Sequence, residues 1–149
     1  MKGYIMIGKM IEGIKLGDKA EFSKTISESD VYLFAGVTGD LNPAHINEMY
    51  AAKTFFKTRI VHGMLLAGLI STVVGNRLPG YGTIYVNQEM TFLSPVYIGD
   101  TITAQVEVTE ILLEKKQVKL KTLCINQEGI KVLDGEAIVS PPRPLKKQA

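Results

Sequence analysis

The sequence predicts an α+β protein in which one apolar helix lies on an antiparallel sheet. Three observations lead there. A single short strand pattern is followed by a run of helical segments. From Tyr81 onward the apolar period changes from helix-like to two. Between them, Met64 to Val74 is apolar on nearly every side, which a helix tolerates only when it is covered.

The elements follow in order. Gly17-Asp18 is a turn signal ahead of a strand over 20–26. Ser27-Glu28-Ser29-Asp30 has the form S-x-x-D, in which the serine oxygen takes an orphan N–H at a helix start and the aspartate reaches back. A helix is therefore expected from about Glu28 to Thr38, ended by Gly39, with Asp40 to His45 as the loop behind it. Asn47 caps a second short helix from Glu48 to about Phe55. A third runs from near His62 to about Arg77, where Leu78-Pro79-Gly80 stops it. Residues 83–93 form a strand candidate, closed by Ser94 to Asp100. From Thr101 to Thr109 the alternation is strict: Ile102, Ala104, Val106 and Val108 face one way and polar residues the other, the mark of a half-buried antiparallel strand. Gln117 to Ile125 and Ile130 to Ser140 complete the set, joined by the hairpin-like turn Asn126-Gln127-Glu128-Gly129. A curved sheet wrapped around one central helix is the hotdog arrangement. One helix does not cover every surface and edge of such a sheet, so a homodimer is expected.

At 149 residues, one domain is the expectation, with a core over about 11–140. A hydrophobic fraction of 46% against 21% charged is ordinary for a folded core. The net charge of +2 implies no broad basic face, which argues against a nucleic-acid partner. Arg143-Pro144-Leu145-Lys146-Lys147 reads as a short frayed basic tail. The single cysteine, Cys124, lies in an apolar strand and reads as core filling, consistent with a reducing compartment. The N-terminal apolar run is too short for a secretion signal, and Met64 to Val74 is too short to span a bilayer. A cytoplasmic protein with no membrane partner is expected.

The chemistry concentrates in Asp40-Leu41-Asn42-Pro43-Ala44-His45. A carboxylate and an imidazole five positions apart, bent around Asn-Pro, can share one water as base and acid. Pro43 fixes its own φ and restricts Asn42, and the Asn42 side chain can bond the loop backbone, so the loop is held in one shape. A cap at Asp40 and a surface histidine at His45 is the plainer reading of the same spacing. In His62-Gly63-Met64, the unpaired N–H groups of a helix start lie at the positive end of its dipole, and the Gly63 amide can be approached closely. That is an oxyanion hole, or simply a tight turn. His62 orients the loop or the substrate, or is a satisfied structural histidine. Gly63, Ala67, Ser71 and Gly75 form a small-residue stripe in which the Ser71 hydroxyl could hold a water. Two histidines and one cysteine do not match zinc spacing, so no metal is expected, and G-x-G-x-x-G, P-loop and G-x-S-x-G motifs are absent.

Phe34 to His45, Arg59-Ile60-Val61-His62-Gly63-Met64-Leu65, Pro79 to Tyr85, Phe92-Leu93-Ser94-Pro95-Val96 and Gly99-Asp100-Thr101 together resemble the R-specific enoyl-CoA hydratases of the MaoC-like dehydratase group. The similarity runs from about Ile11 to Ser140. It implies a hotdog dimer that adds water to trans-2-enoyl-CoA, or removes it from the (R)-3-hydroxyacyl-CoA, with no cofactor. The resemblance implies an acyl-CoA substrate, with acyl carrier protein as the alternative carrier of the acyl chain. By the same resemblance Asp40 and His45 are the catalytic pair, the Gly63 amide polarises the thioester oxygen, and Ser71 helps place the water. A hotdog acyl-CoA thioesterase, a non-catalytic dehydratase subunit and an acyl-binding module are the alternatives.

Overall fold

The computed structural model describes residues 6–145. The tail residues Lys146 and Lys147 lie outside that range, and Arg143 to Leu145 carry no regular structure. The chain order is β1 (Lys19–Thr25), α1 (Glu28–Thr38), α2 (Pro43–Ile46), α3 (Glu48–Ala51), α4 (Gly63–Asn76), then β2 (Ile84–Phe92), β3 (Thr101–Leu112), β4 (Gln117–Ile125) and β5 (Lys131–Ser140). All five strands join one antiparallel sheet in the order β1-β3-β4-β5-β2. The expected α+β hotdog arrangement is what forms.

Local chemistry accounts for the helix limits. Ser27 Oγ accepts from the Asp30 amide at 3.1 Å, and the Asp30 carboxylate accepts from the Ser27 amide at 2.8 Å, so the capping box is complete. Gly39 closes α1 at φ 79°, a left-handed conformation that glycine adopts without a Cβ penalty. The loop behind it contains a helical turn the sequence reading lacked: Asn42 caps α2 by accepting from the Ala44 amide at 3.1 Å, with Pro43 at the first helical position. Asn47 caps α3 as expected, but α3 stops at Ala51 rather than Phe55. There the Thr54 hydroxyl donates to the Ala51 carbonyl at 2.7 Å, a local bond that competes with helix continuation.

α4 packs on β3, β1 and β4. Its inner face buries Leu65, Leu66, Leu69, Ile70, Val73 and Val74 against Ile102, Ala104, Val106 and Val108 of β3 and Val118 and Leu120 of β4. Full burial of each such side chain is worth about 1.5–3 kcal/mol, so this layer holds the fold together. The helix is not covered all round, as its composition suggested. Met64, Gly68 and Ser71 are exposed, because a single five-stranded sheet offers one face to one side of a helix. The edge strand β2 likewise exposes Ile84, Val86 and Phe92. No helix among the described residues is long and apolar enough to cross a membrane.

Candidate active site

Two segments meet over the start of α4. The first is the Gly39 to His45 loop, built by local bonds. The Asp40 amide donates to Thr38 Oγ1, and the Asn42 amide donates to Asp40 Oδ1, both at 3.2 Å. The His45 amide donates to the Asn42 carbonyl at 2.9 Å. The second segment, Ile60 to Gly63, is held from a distance. Ile60 bridges Tyr97, the Val61 amide donates to the Val96 carbonyl at 2.7 Å, and the Ile60 amide donates to the Ala44 carbonyl at 3.2 Å.

Arg59 anchors this second segment at its N-terminal end. Its guanidinium pairs with Glu28 on α1 at 2.8 Å and Glu48 on α3 at 3.1 Å, and donates to the Tyr32 hydroxyl at 2.8 Å. The Arg59 hydrogen bond, with a second from Tyr32, holds the Glu28 carboxyl below its ordinary range. The Glu48 carboxyl is lowered too, first by the Thr58 hydroxyl and then by Arg59.

The two histidines converge where the segments touch. His45 Nδ1 lies 2.7 Å from the Ile60 carbonyl oxygen. A carbonyl only accepts, so Nδ1 carries the proton and neutral His45 keeps its lone pair on Nε2. His62 Nε2 lies 3.0 Å from the Asp40 carbonyl oxygen and donates to it by the same logic. The rings stack, with centroids 3.9 Å apart and planes 30° apart, and Phe34 packs on His62 at 4.8 Å. His62 is 1% exposed, and its Nδ1 is buried without a partner. Donor atoms of Asp40, His45 and His62 lie within 4.8 Å of one another. These are the residues that would share an ion if one bound. His45 Nδ1 and His62 Nε2 each face a backbone carbonyl, which leaves one nitrogen per ring for such an ion.

Asp40, His45, Gly63, Met64 and Phe92 line a cavity of about 430 Å³. Gly63 opens α4, whose N-cap, His62, makes no side-chain capping bond. The Leu65 amide donates to the His62 carbonyl at 3.1 Å, and the Gly63 and Met64 amides are left for an outside acceptor. The Cα of Gly63 is covered by the Phe92 ring: a Cβ there would lie 2.7 Å from a ring carbon, so a hydrogen fits and a methyl does not. A second cavity of about 420 Å³ lies among Lys19, Glu21, Glu107 and Lys121, where Lys19 pairs with Glu107 at 3.3 Å and no histidine reaches.

Of the residues singled out in the sequence, Asp40, His45, His62 and Gly63 line one cavity, Asn42 sits in the same loop with its side chain capping α2, and Ser71 stands apart. Steps of four residues drift by about 40° each on a helix, and eight residues span about 12 Å, so Ser71 leaves the Gly63 face and sits two turns away. It is exposed and does not line the cavity of its own chain. The sequence reading gave no role to Arg59, Ile60 or Phe92. All three lie in the segments that carried the family resemblance, but their partners are distant in sequence. Cys124 is buried, and burial pushes its thiol up to about 12, which excludes a reactive thiolate at neutral pH.

The chain has known relatives. Over 131 residues the chain is 59% identical to the (R)-specific enoyl-CoA hydratase of Rhodospirillum rubrum, covering 88% of this chain and 90% of that protein. It is 46% identical to the 3-hydroxybutyryl-CoA dehydratase of Methylorubrum extorquens, covering 89% and 83%. The solved R-hydratase PhaJ1 from Pseudomonas aeruginosa superposes with a TM-score of 0.86 at 41% identity, covering 95% of this chain and 94% of that one. The MaoC like domain family matches residues 13–128, and the chain belongs to that family.

Proposed function

We propose that this protein is an R-specific enoyl-CoA hydratase that adds water to trans-2-enoyl-CoA thioesters and runs the reverse dehydration. The observation that carries the reading is that Asp40, His45 and the uncapped start of α4 at Gly63 line one apolar-walled cavity. A thioester oxygen placed at the Gly63 N–H is polarised by that amide and by the α4 dipole, which makes Cβ electrophilic. Water held between the Asp40 carboxylate and His45 Nε2 loses a proton to one of them, and its oxygen bonds to Cβ. The electron pair of the C=C bond moves onto the enolate oxygen. The group that took the water proton then delivers it to Cα, the C=O reforms, and both members of the pair return to their starting state. Water is consumed whole, so atoms and charge balance with no redox partner.

The working unit is a homodimer in this reading. The exposed apolar side chains of Ile84, Val86 and Phe92 on an edge strand, with Met64 beside them, suit a second copy of the chain. One domain over 1–149 fits the single family match, and a buried lone thiol suits a reducing, cytoplasmic setting.

The test is loss of the enoyl absorbance of crotonyl-CoA with the pure protein, followed by chiral analysis. Conversion to the R product is the expected result. Thiol release in its place would assign a thioesterase, and inertness toward short, long and branched enoyl chains on either carrier would leave only a binding role.

A further inference from the structure

We infer that His62 is a positioning residue for the acid/base pair, fixing Asp40 through its main chain and His45 through its ring. The inference rests on the reading of Asp40 and His45 as that pair.

His62 has two hydrogen-bonding nitrogens and almost no surface. Nε2 donates to the Asp40 carbonyl, and Nδ1 is a buried acceptor with nothing to accept from among the described residues. As core filling, this is a poor arrangement. A phenyl ring would stack on His45 and Phe34 and fill the same space without burying an unpaired nitrogen. Of the two nitrogens a phenyl ring lacks, Nε2 is the one that makes a bond. The bond from that N–H matters because the other bonds on Asp40 are local, to Thr38 and Asn42. The His62 bond spans 22 residues and is the tie between the Asp40 main chain and α4.

His62 also occupies the N-cap of α4, where serine, threonine, aspartate or asparagine would turn a side-chain oxygen onto the first amides. Histidine at this place turns its side chain to Asp40 and leaves the Gly63 and Met64 amides without a side-chain cap, while the Leu65 amide donates to the His62 carbonyl at 3.1 Å. Within four residues, then, the chain supplies the Ile60 carbonyl that sets the His45 tautomer, the His62 ring that holds both members of the pair, and the Gly63 amide. Reacting groups displaced by about 1 Å lose on the order of a hundredfold in rate, so the tie acts on turnover more than on binding.

The test compares His62→Phe, which keeps the ring and loses the donor, with His62→Gln, whose amide nitrogen reaches about where Nε2 stood. On an enoyl-CoA the Phe variant is expected to lose about tenfold or more in kcat with KM within about twofold, and the Gln variant to recover to within about threefold of the parent. Should the Phe variant not fold, His62→Asn replaces it, since its shorter amide does not reach the Asp40 carbonyl, and the same loss is expected. In an Asp40→Asn background His62→Phe should cost little more. Parent-like kcat in the donorless variants, a loss confined to KM, or a Gln variant as poor as Phe would overturn the inference. If Asp40→Asn and His45→Ala themselves keep full activity, the underlying assignment of the pair is what fails.

Discussion

The Gly39 to His45 loop and the Ile60 to Gly63 segment carry the same site by opposite means. The loop is mostly exposed, is built from caps and turns within seven residues, and presents the carboxylate and the imidazole. The Ile60 to Gly63 segment is largely buried, is held by α2 and the 96–97 turn, with Arg59 at its head tied to α1 and α3, and offers a carbonyl, a ring and an amide. In the proposed reaction, the groups that exchange protons with water sit on the accessible half. Orientation comes from the half that water does not reach, where bonds are harder to exchange for solvent.

The comparison breaks first at the exposed half. Asp40→Asn and His45→Ala should each lower hydration by about a hundredfold or more, the scale of lost acid/base catalysis, with the circular dichroism spectrum unchanged. Next comes Gly63→Ala, whose methyl meets the Phe92 ring; a loss of roughly tenfold is expected, partly recovered when Phe92→Leu is added, as steady-state kinetics of the double variant would show. Arg59→Met should act more weakly, lowering the melting temperature by a few degrees and raising thermal lability of activity, since its ion pairs are partly solvated.

The smallest effect concerns acid. The Glu28 and Glu48 carboxyls have folded pKa values lowered from 4.5, so their stabilisation is present above pH 4.5 and is lost as pH falls through the lowered values. Melting temperature measured downward from pH 6 should therefore drop more in the parent than in Arg59→Met. Equal slopes would show that the Arg59 cluster is not the acid-sensitive tie.

The same contrast explains what could be read from the sequence. Ser27, Asp30 and Gly39 are local instructions, and α1 follows them residue by residue. The alternation of Ile102 to Val108 is local too, and β3 obeys it, running on to Leu112 past an irregularity between Val108 and Glu110. Asn42-Pro43 held a readable cap and helix start, since an Asx side chain before proline at the first helical position opens α2. The stacking of His45 on His62 and the Arg59 ties depend on pairs separated by 11 to 31 positions, which periodicity and caps do not encode. Ser71 lies two turns beyond Gly63 on the exposed side of α4, away from the cavity of its own chain.

Phe92 and Met64 belong at once to the cavity wall and to the uncovered apolar border formed by β2 and the start of α4. Any body that settles on that border presses on the same side chains that bound the ligand space. Linkage then runs both ways: a ligand that prefers one arrangement of the Phe92 ring shifts the affinity of the border for its cover by the factor with which the cover shifts affinity for the ligand. The border and the cavity share a wall, and so they share a free energy.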